Sequence, residues 1–208
     1  MSSTALTLRE RNRLRARQEV LEALLELIDL DGINACSVEE IARRVGASKT
    51  TVYTHFRGGL DEMLQTLYQE VSDQVTRAAA EGRAAQAGVP DRVVALGEAL
   101  FTTCARPRIG RFYMLLTPAI SPRLESVVGR ASATFREWIA EDLRALGISR
   151  DDARGRALAL TGALRECGVA VARDPGLQDG LLAVIRQVAQ ALSSDGDRAA
   201  RPPRRTRR

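Results

Sequence analysis

Lysine and histidine are almost missing from this chain. It has one of each, Lys49 and His55, and every other basic side chain is an arginine. Cysteine is sparse too. Cys36, Cys104 and Cys167 are odd in number, widely spaced and without a CxxC pair, which argues against a disulfide framework. The single histidine beside them argues against a zinc site as well, and neither metal nor cofactor is expected. No apolar run is long enough to span a bilayer or to serve as the core of a signal peptide, so a cytoplasmic protein is expected. Alternating β-branched residues are scarce, and aromatics make up 4% of the chain. Ala, Leu, Arg and Glu dominate instead, and they favour an all-α fold. The 208 residues suit one ordinary domain, or a small domain joined to a larger one.

The net charge of +5 is unevenly placed. Arg9, Arg11, Arg13, Arg15 and Arg17 stand against Glu10 at the start. Arg198, Arg201, Arg204, Arg205, Arg207 and Arg208 stand against Asp195 and Asp197 at the end. Each end therefore carries +4, which leaves residues 18–194 at −3. Basic ends on an acidic body suit local contact with a polyanion, and they equally suit tails that keep the chain in solution. Residues 1–12 read as a basic disordered arm and residues 195–208 as a basic disordered tail.

Between those ends, helical spacing recurs. Val20, Leu21, Leu24, Leu27 and Ile28 lie on one stripe of a helix from about Leu14 that stops at Asp31-Gly32. Ser37 and Glu40 form a capping-box pattern for a short second helix, with Ile41 and Val45 inward and Gly46 at its end. Ser48 caps a third helix through about Phe56, and Gly58-Gly59 separates it from a fourth starting near Leu60. The small, polar stretch Ala80 to Pro90 reads as a connection. Further helices are expected over about 90–105, 107–117, 122–146, 149–173 and 175–192, with Pro107 and Pro122 in first-turn positions.

The second and third helices, joined by "VGAS", make a helix-turn-helix pattern. The outward face of the second member carries Lys49, Thr50, Tyr53 and Thr54, small or donor-bearing side chains that can reach base edges in a major groove. Ser37, Ser48, Tyr53, His55 and Arg57 can donate to phosphates. Tyr53 fits half-buried packing as well, and His55 fits a role in orienting the end of its helix. An enzyme is the poorest reading, because the one histidine lies on this face and no nucleophile motif, phosphate loop or metal-ligand spacing is present.

The segment Gln18–Leu64, with "SVEEIA", "VGASKTTVYTHF" and "DEML", resembles the N-terminal DNA-binding region of TetR-family transcriptional regulators. The resemblance implies an all-helical protein with a three-helix DNA-binding domain, here residues 13–59. A larger helical part, residues 60–194, would bind a small-molecule effector and form a homodimer. Ser37 and His55 match phosphate-contacting positions, and Lys49, Thr50, Tyr53 and Thr54 match recognition-helix positions. One departure stands out: Arg57-Gly58-Gly59-Leu60 lacks the lysine that the family usually carries before its acidic pair.

In the larger part, Phe101, Cys104, Phe112, Met114, Leu115, Phe135 and Trp138 could line an apolar cavity between helices or form ordinary core. Arg165 could anchor a polar group of a ligand, or pair with Glu166 or with a dimer partner. Two faces are candidates for a four-helix dimer interface: Ala157, Leu160, Thr161, Leu164, Gly168 and Val171, then Leu181, Leu182, Ile185, Val188 and Leu192. The leading expectation is a repressor released from a double-stranded operator by a hydrophobic small molecule. The alternative is a DNA-binding regulator without an effector, acting through a protein partner or organising DNA, and a filled core would point to it.

Overall fold

A computed structural model describes residues 7–194, and every regular element among them is helical. The described residues fall into two compact units: residues up to Val71 with 111–128, and 72–110 with those from Gly129 on.

The first unit opens with α1, Leu8–Asp31. Its start corrects the expectation of disorder over 1–12, of which residues 1–6 lie outside the described residues, as does the whole tail 195–208. Thr7 and Glu10 form a complete capping box: the Glu10 amide donates to Thr7 Oγ1 at 3.2 Å, and the Thr7 amide donates to the Glu10 carboxylate at 2.8 Å. Two amides that a helix start leaves without partners are thereby satisfied, which is enough to begin the helix before its apolar stripe. The Thr7 amide, and the Thr7 hydroxyl that donates to the same carboxylate at 2.8 Å, hold the Glu10 carboxyl below its usual range. Arg9, Arg11, Arg13 and Arg15 thus lie exposed on a helix. Gly32, at φ +81°, ends α1, and a single 3₁₀ turn, Ile33–Ala35, leads to α2, Val38–Arg44, and α3, Lys49–His55. Leu21, Leu24, Ile41, Val52, Phe56, Met63 and Leu64 make the core of this bundle, each at most 1% exposed.

The helix α4, Gly59–Ala84, begins in the first unit and belongs to the second from Ser72 on. It extends into the stretch expected to be a connection, leaving a loop only over 85–88. Residues 111–128 cluster with the N-terminal unit, so the expected boundary at residue 60 does not separate the two. Arg123 Nε pairs with Asp61 at 2.9 Å, its carbonyl accepts from Gln65 at 2.8 Å, and the rings of Tyr68 and Tyr113 lie 4.9 Å apart.

The helices expected over 107–117 and 122–146 are broken up. A short α6, Pro107–Gly110, widens into a π-helical turn, Arg111–Leu116, followed by α7, Thr117–Ile120, and a 3₁₀ turn, Ser121–Leu124. The wide turn falls just before Pro118, which has no amide to offer the Met114 carbonyl four residues back. Pro122 sits in the first turn of the 3₁₀ segment, and α8, Arg130–Ala145, starts only after Gly129 at φ +85°.

The second unit packs α5, Val89–Cys104, against α9, Arg150–Arg173, and α10, Gln178–Ser194, with α8 along α9. Leu96, Phe101, Ile139, Leu143, Leu160, Leu164 and Ile185 fill its core. Gly110 admits no side chain: a Cβ there would stand 1.9 Å from the Cys104 carbonyl oxygen. Asp142, almost fully buried, accepts from both Arg83 and Arg92 and ties α4, α5 and α8 together.

Candidate nucleic-acid interface

Local chemistry sets the geometry of α2 and α3. Ser37 Oγ accepts from the Glu40 amide at 3.1 Å, and Ser48 Oγ from the Thr51 amide at 3.0 Å, so each serine caps its helix. The return half of the Ser37 capping box is absent, because the Glu40 carboxylate binds Arg43 instead and is held below its usual pKa by that bond. Gly46, at φ +65°, makes the turn, and the Ala47 amide closes it on the Ala42 carbonyl at 2.9 Å. Ile41, Ala42 and Val52 are sealed between the helices, whereas Val45, expected inward, is only half-buried at the end of α2.

With those residues inside, the opposite side of α3 faces solvent. Lys49, Thr50 and Thr54 are exposed, and so are Ser37, Ser48 and Arg57. Thr54 Oγ1 donates to the Thr50 carbonyl at 2.9 Å. Tyr53 is 47% exposed, and its ring lies beside Gly59, where a Cβ would come 3.4 Å from Tyr53 Cε1. It therefore combines an open face with a packed edge. Gly59 itself needs its φ of +63°, and the Glu62 carboxylate accepts from the Gly58 amide at 2.7 Å at the start of α4.

His55 does not face outward as expected. It is half-buried, and its Nδ1 is fully buried without a hydrogen bond among the described residues. Arg17, counted in the sequence only as part of a basic run, reaches across from α1. Its guanidinium donates to the His55 carbonyl and lies 4.1 Å from the centre of the Phe56 ring. A cation at the carbonyl end of α3 complements the helix dipole and fixes where the helix stops. Glu39 was missed as well: its carboxylate accepts from Lys49 Nζ at 3.0 Å.

The eight residues named for a ligand pocket divide between the units. Phe101, Cys104, Phe135, Trp138 and Arg165 belong to the second, and Phe112, Met114 and Leu115 to the first. Phe101, Cys104, Phe112 and Phe135 are buried, while Met114, Leu115 and Trp138 are half-buried. Burial pushes the Cys104 thiol up to about 12, so it stays neutral in its apolar surroundings. Arg165, expected to anchor a ligand group or to pair with Glu166 or a dimer partner, is exposed on α9. A groove of about 710 Å³ runs between α8 and α9, and its walls include Arg136, Arg144, Arg150 and Arg154 rather than any of the eight.

The α9 face expected to pair two copies is turned inward, while the α10 face is only partly so, with Leu181, Leu182 and Leu192 half-buried and Val188 exposed. Ala157, Leu160, Thr161, Leu164, Gly168 and Val171 are buried in the chain itself, as is Ile185. The exposed sides of α9 and α10 carry small and apolar residues: Gly155, Leu158, Ala159 and Gly162, then Gly180, Ala183 and Val184 beside Val188 of the expected face. A Cβ at Gly155, Gly162 or Gly180 would meet nothing within 4 Å.

The family model of the bacterial regulatory proteins, tetR family, matches residues 20–64. No curated protein matches the sequence. Solved structures share the fold along most of the chain. A Pseudomonas aeruginosa PAO1 protein assigned as a transcriptional regulator is 19% identical with a TM-score of 0.76, over 89% of this chain and 94% of that one. The fatty acid degradation regulator FadR of Bacillus halodurans is 18% identical with a TM-score of 0.68, over 92% and 97%. FadR of Bacillus subtilis, in complex with stearoyl-CoA, is 17% identical with a TM-score of 0.65, over 85% and 97%.

Proposed function

With a tetR-family N-terminal domain at residues 20–64 on a TetR-like fold, the chain is a TetR-family regulator, and we propose that it acts as a homodimeric repressor in the cytoplasm. The observation that carries the reading is the solvent face of α3, where Lys49, Thr50, Tyr53 and Thr54 are exposed above a sealed three-helix core. Lys49, Thr50, Tyr53 and Thr54 read base edges, while Ser37, Ser48 and Arg57 hold phosphates. His55 contributes by supporting the end of the helix.

One α3 makes few base contacts, so specific binding needs two, spaced about 34–36 Å apart on a near-palindromic operator. The exposed stripes of α9 and α10 support such a dimer. Glycine inside a helix costs about 1 kcal/mol relative to alanine. Gly155, Gly162 and Gly180 have room for a side chain within their own chain, so the close approach of another helix is a reason for them to lack one.

For the effector we propose a hydrophobic molecule that binds the DNA-free conformation preferentially and so releases the operator. The stearoyl-CoA held by the Bacillus subtilis FadR makes long-chain acyl thioesters the first probes. The complete burial of Phe101, Phe112 and Cys104 favours a second reading, a regulator that needs no effector.

The test begins with the mass of the protein in solution and titration of duplexes from the DNA flanking its gene. Lys49→Ala and Tyr53→Ala are expected to weaken specific binding by about 1–3 kcal/mol each at matched salt. Unchanged affinity in both variants would remove α3 as the reading helix. A dimer that keeps its operator in every acyl thioester tried would leave the effector-free reading standing.

A further inference from the structure

Lys49 does not stand alone on the face assigned above to DNA. Glu39, in the first turn of α2, accepts from its ammonium at 3.0 Å, and the two side chains are 75% and 57% exposed. An ion pair this exposed adds little to the stability of a fold. The adjacent Glu40 is already engaged by Arg43 on its own helix, whereas Glu39 reaches across the turn to the first residue of α3. Its second oxygen, Oε1, makes no hydrogen bond among the described residues. A carboxylate with a free oxygen on a surface that meets phosphates is repelled unless a donor on the DNA receives it.

We infer that Glu39 is a specificity-determining residue which, together with Lys49, selects one G·C pair in each half-site. The inference rests on the reading of α3 as the recognition helix. The ammonium has three N–H donors, and the bond to Glu39 uses one, leaving two for acceptors on a base. Across the major groove a G·C pair presents N7 and O6 of guanine, both acceptors, followed by the amino donor of cytosine; an A·T pair presents acceptor, donor, acceptor. A side chain offering two donors, held beside one offering an acceptor, matches the first order and not the second. Lys49 takes guanine O6 and N7, and Glu39 accepts from cytosine N4. The Glu39–Lys49 bond keeps the two in register while both are engaged.

The experiment is selection of bound sequences from a pool of random duplexes by the full-length protein, with Glu39→Ala, Glu39→Gln and Lys49→Ala compared at one salt concentration. The wild type is expected to enrich a motif with a fixed G·C pair in each half-site. Glu39→Ala should lower the preference at that pair by about ten-fold or more while leaving the rest of the motif, and should bind random duplex more tightly because a negative charge is gone. Glu39→Gln should move the preference toward A·T, since an amide pairs with adenine N6 and N7. Lys49→Ala should relax the same position. A wild-type motif that survives unchanged in both Glu39 variants overturns the inference and leaves α3 as the reading helix. A wild type that enriches no sequence overturns the DNA-binding reading and this inference with it.

Discussion

Replacing Asp142 by asparagine removes one negative charge from the centre of the second unit and leaves its shape. The Asp142 carboxylate, with a side chain only 5% exposed, accepts from Arg83 Nε at 3.0 Å and Nη2 at 2.8 Å, and from Arg92 Nη1 at 2.7 Å. In the variant, two guanidiniums face an amide whose NH₂ is itself a donor. Breaking a buried ion pair from one side typically costs about 3–5 kcal/mol. The arginine side chains keep 23% and 33% exposure, and Arg83 retains the face of Trp138 at 5.6 Å, so solvent and the ring take up part of the loss. The expected cost is therefore about 3 kcal/mol, at the lower end of that range. Urea unfolding followed by circular dichroism, at one protein concentration because assembly shifts apparent stability, should show the midpoint lowered by about 1 M or more. Arg92→Ala should cost less than Asp142→Asn, since the bidentate Arg83 pair survives it. A loss below about 1 kcal/mol in Asp142→Asn would place the cluster with ordinary surface pairs and refute the reasoning.

Gly110→Ala is expected to cost more than about 4 kcal/mol or to give no folded protein, because the new Cβ falls 1.9 Å from a backbone oxygen that has nowhere to go. Gly129→Ala, strained only by its φ of +85° and meeting no atom, should cost about 1–2 kcal/mol, and the two can be ranked by thermal unfolding. Leu158→Asp combined with Val184→Asp, both at exposed positions, should leave helix content intact and halve the mass in solution; a dimer unchanged in mass would move the interface elsewhere. Burial pushes the Cys36 thiol up to about 11 and the Cys104 thiol up to about 12, so alkylation near pH 8 should be slow at both until the chain unfolds. Because these folded values exceed the unfolded value of about 8.5, the stability tied to the neutral thiols is complete below that pH. It is lost as pH rises through 11 and 12, which unfolding at increasing alkaline pH would show.

The sequence by itself determined the helix-turn-helix, because the signals there are local. Ser37 and Ser48 cap helices within three residues, Gly46 makes the turn between them, and the apolar stripe of α1 stops at Gly32. The start of α1 was equally local, in the pair Thr7 and Glu10, but was hidden inside a run read only for its charge. The all-helical class followed from composition for a similar reason, since helix propensity and spacing act over a few residues at a time.

What only the tertiary structure decided depends on partners far along the chain. Periodicity marked one apolar side of α9, and that side is buried inside the chain, which leaves the glycine-rich side exposed. An apolar stripe records that a face leaves water, and the hydrophobic effect that buries it carries no direction and names no partner. Arg17 meets the end of α3 across 38 residues, and Gln65 meets Arg123 across 58, so no window of the sequence contains both ends of either bond. His55 looked like a donor on an open face, yet the packing at the end of α3 buried its Nδ1. Segment 111–128 joins the N-terminal unit because its polar and aromatic contacts lie on α1 and α4, and long-range complementarity of that kind exists only once the chain has folded.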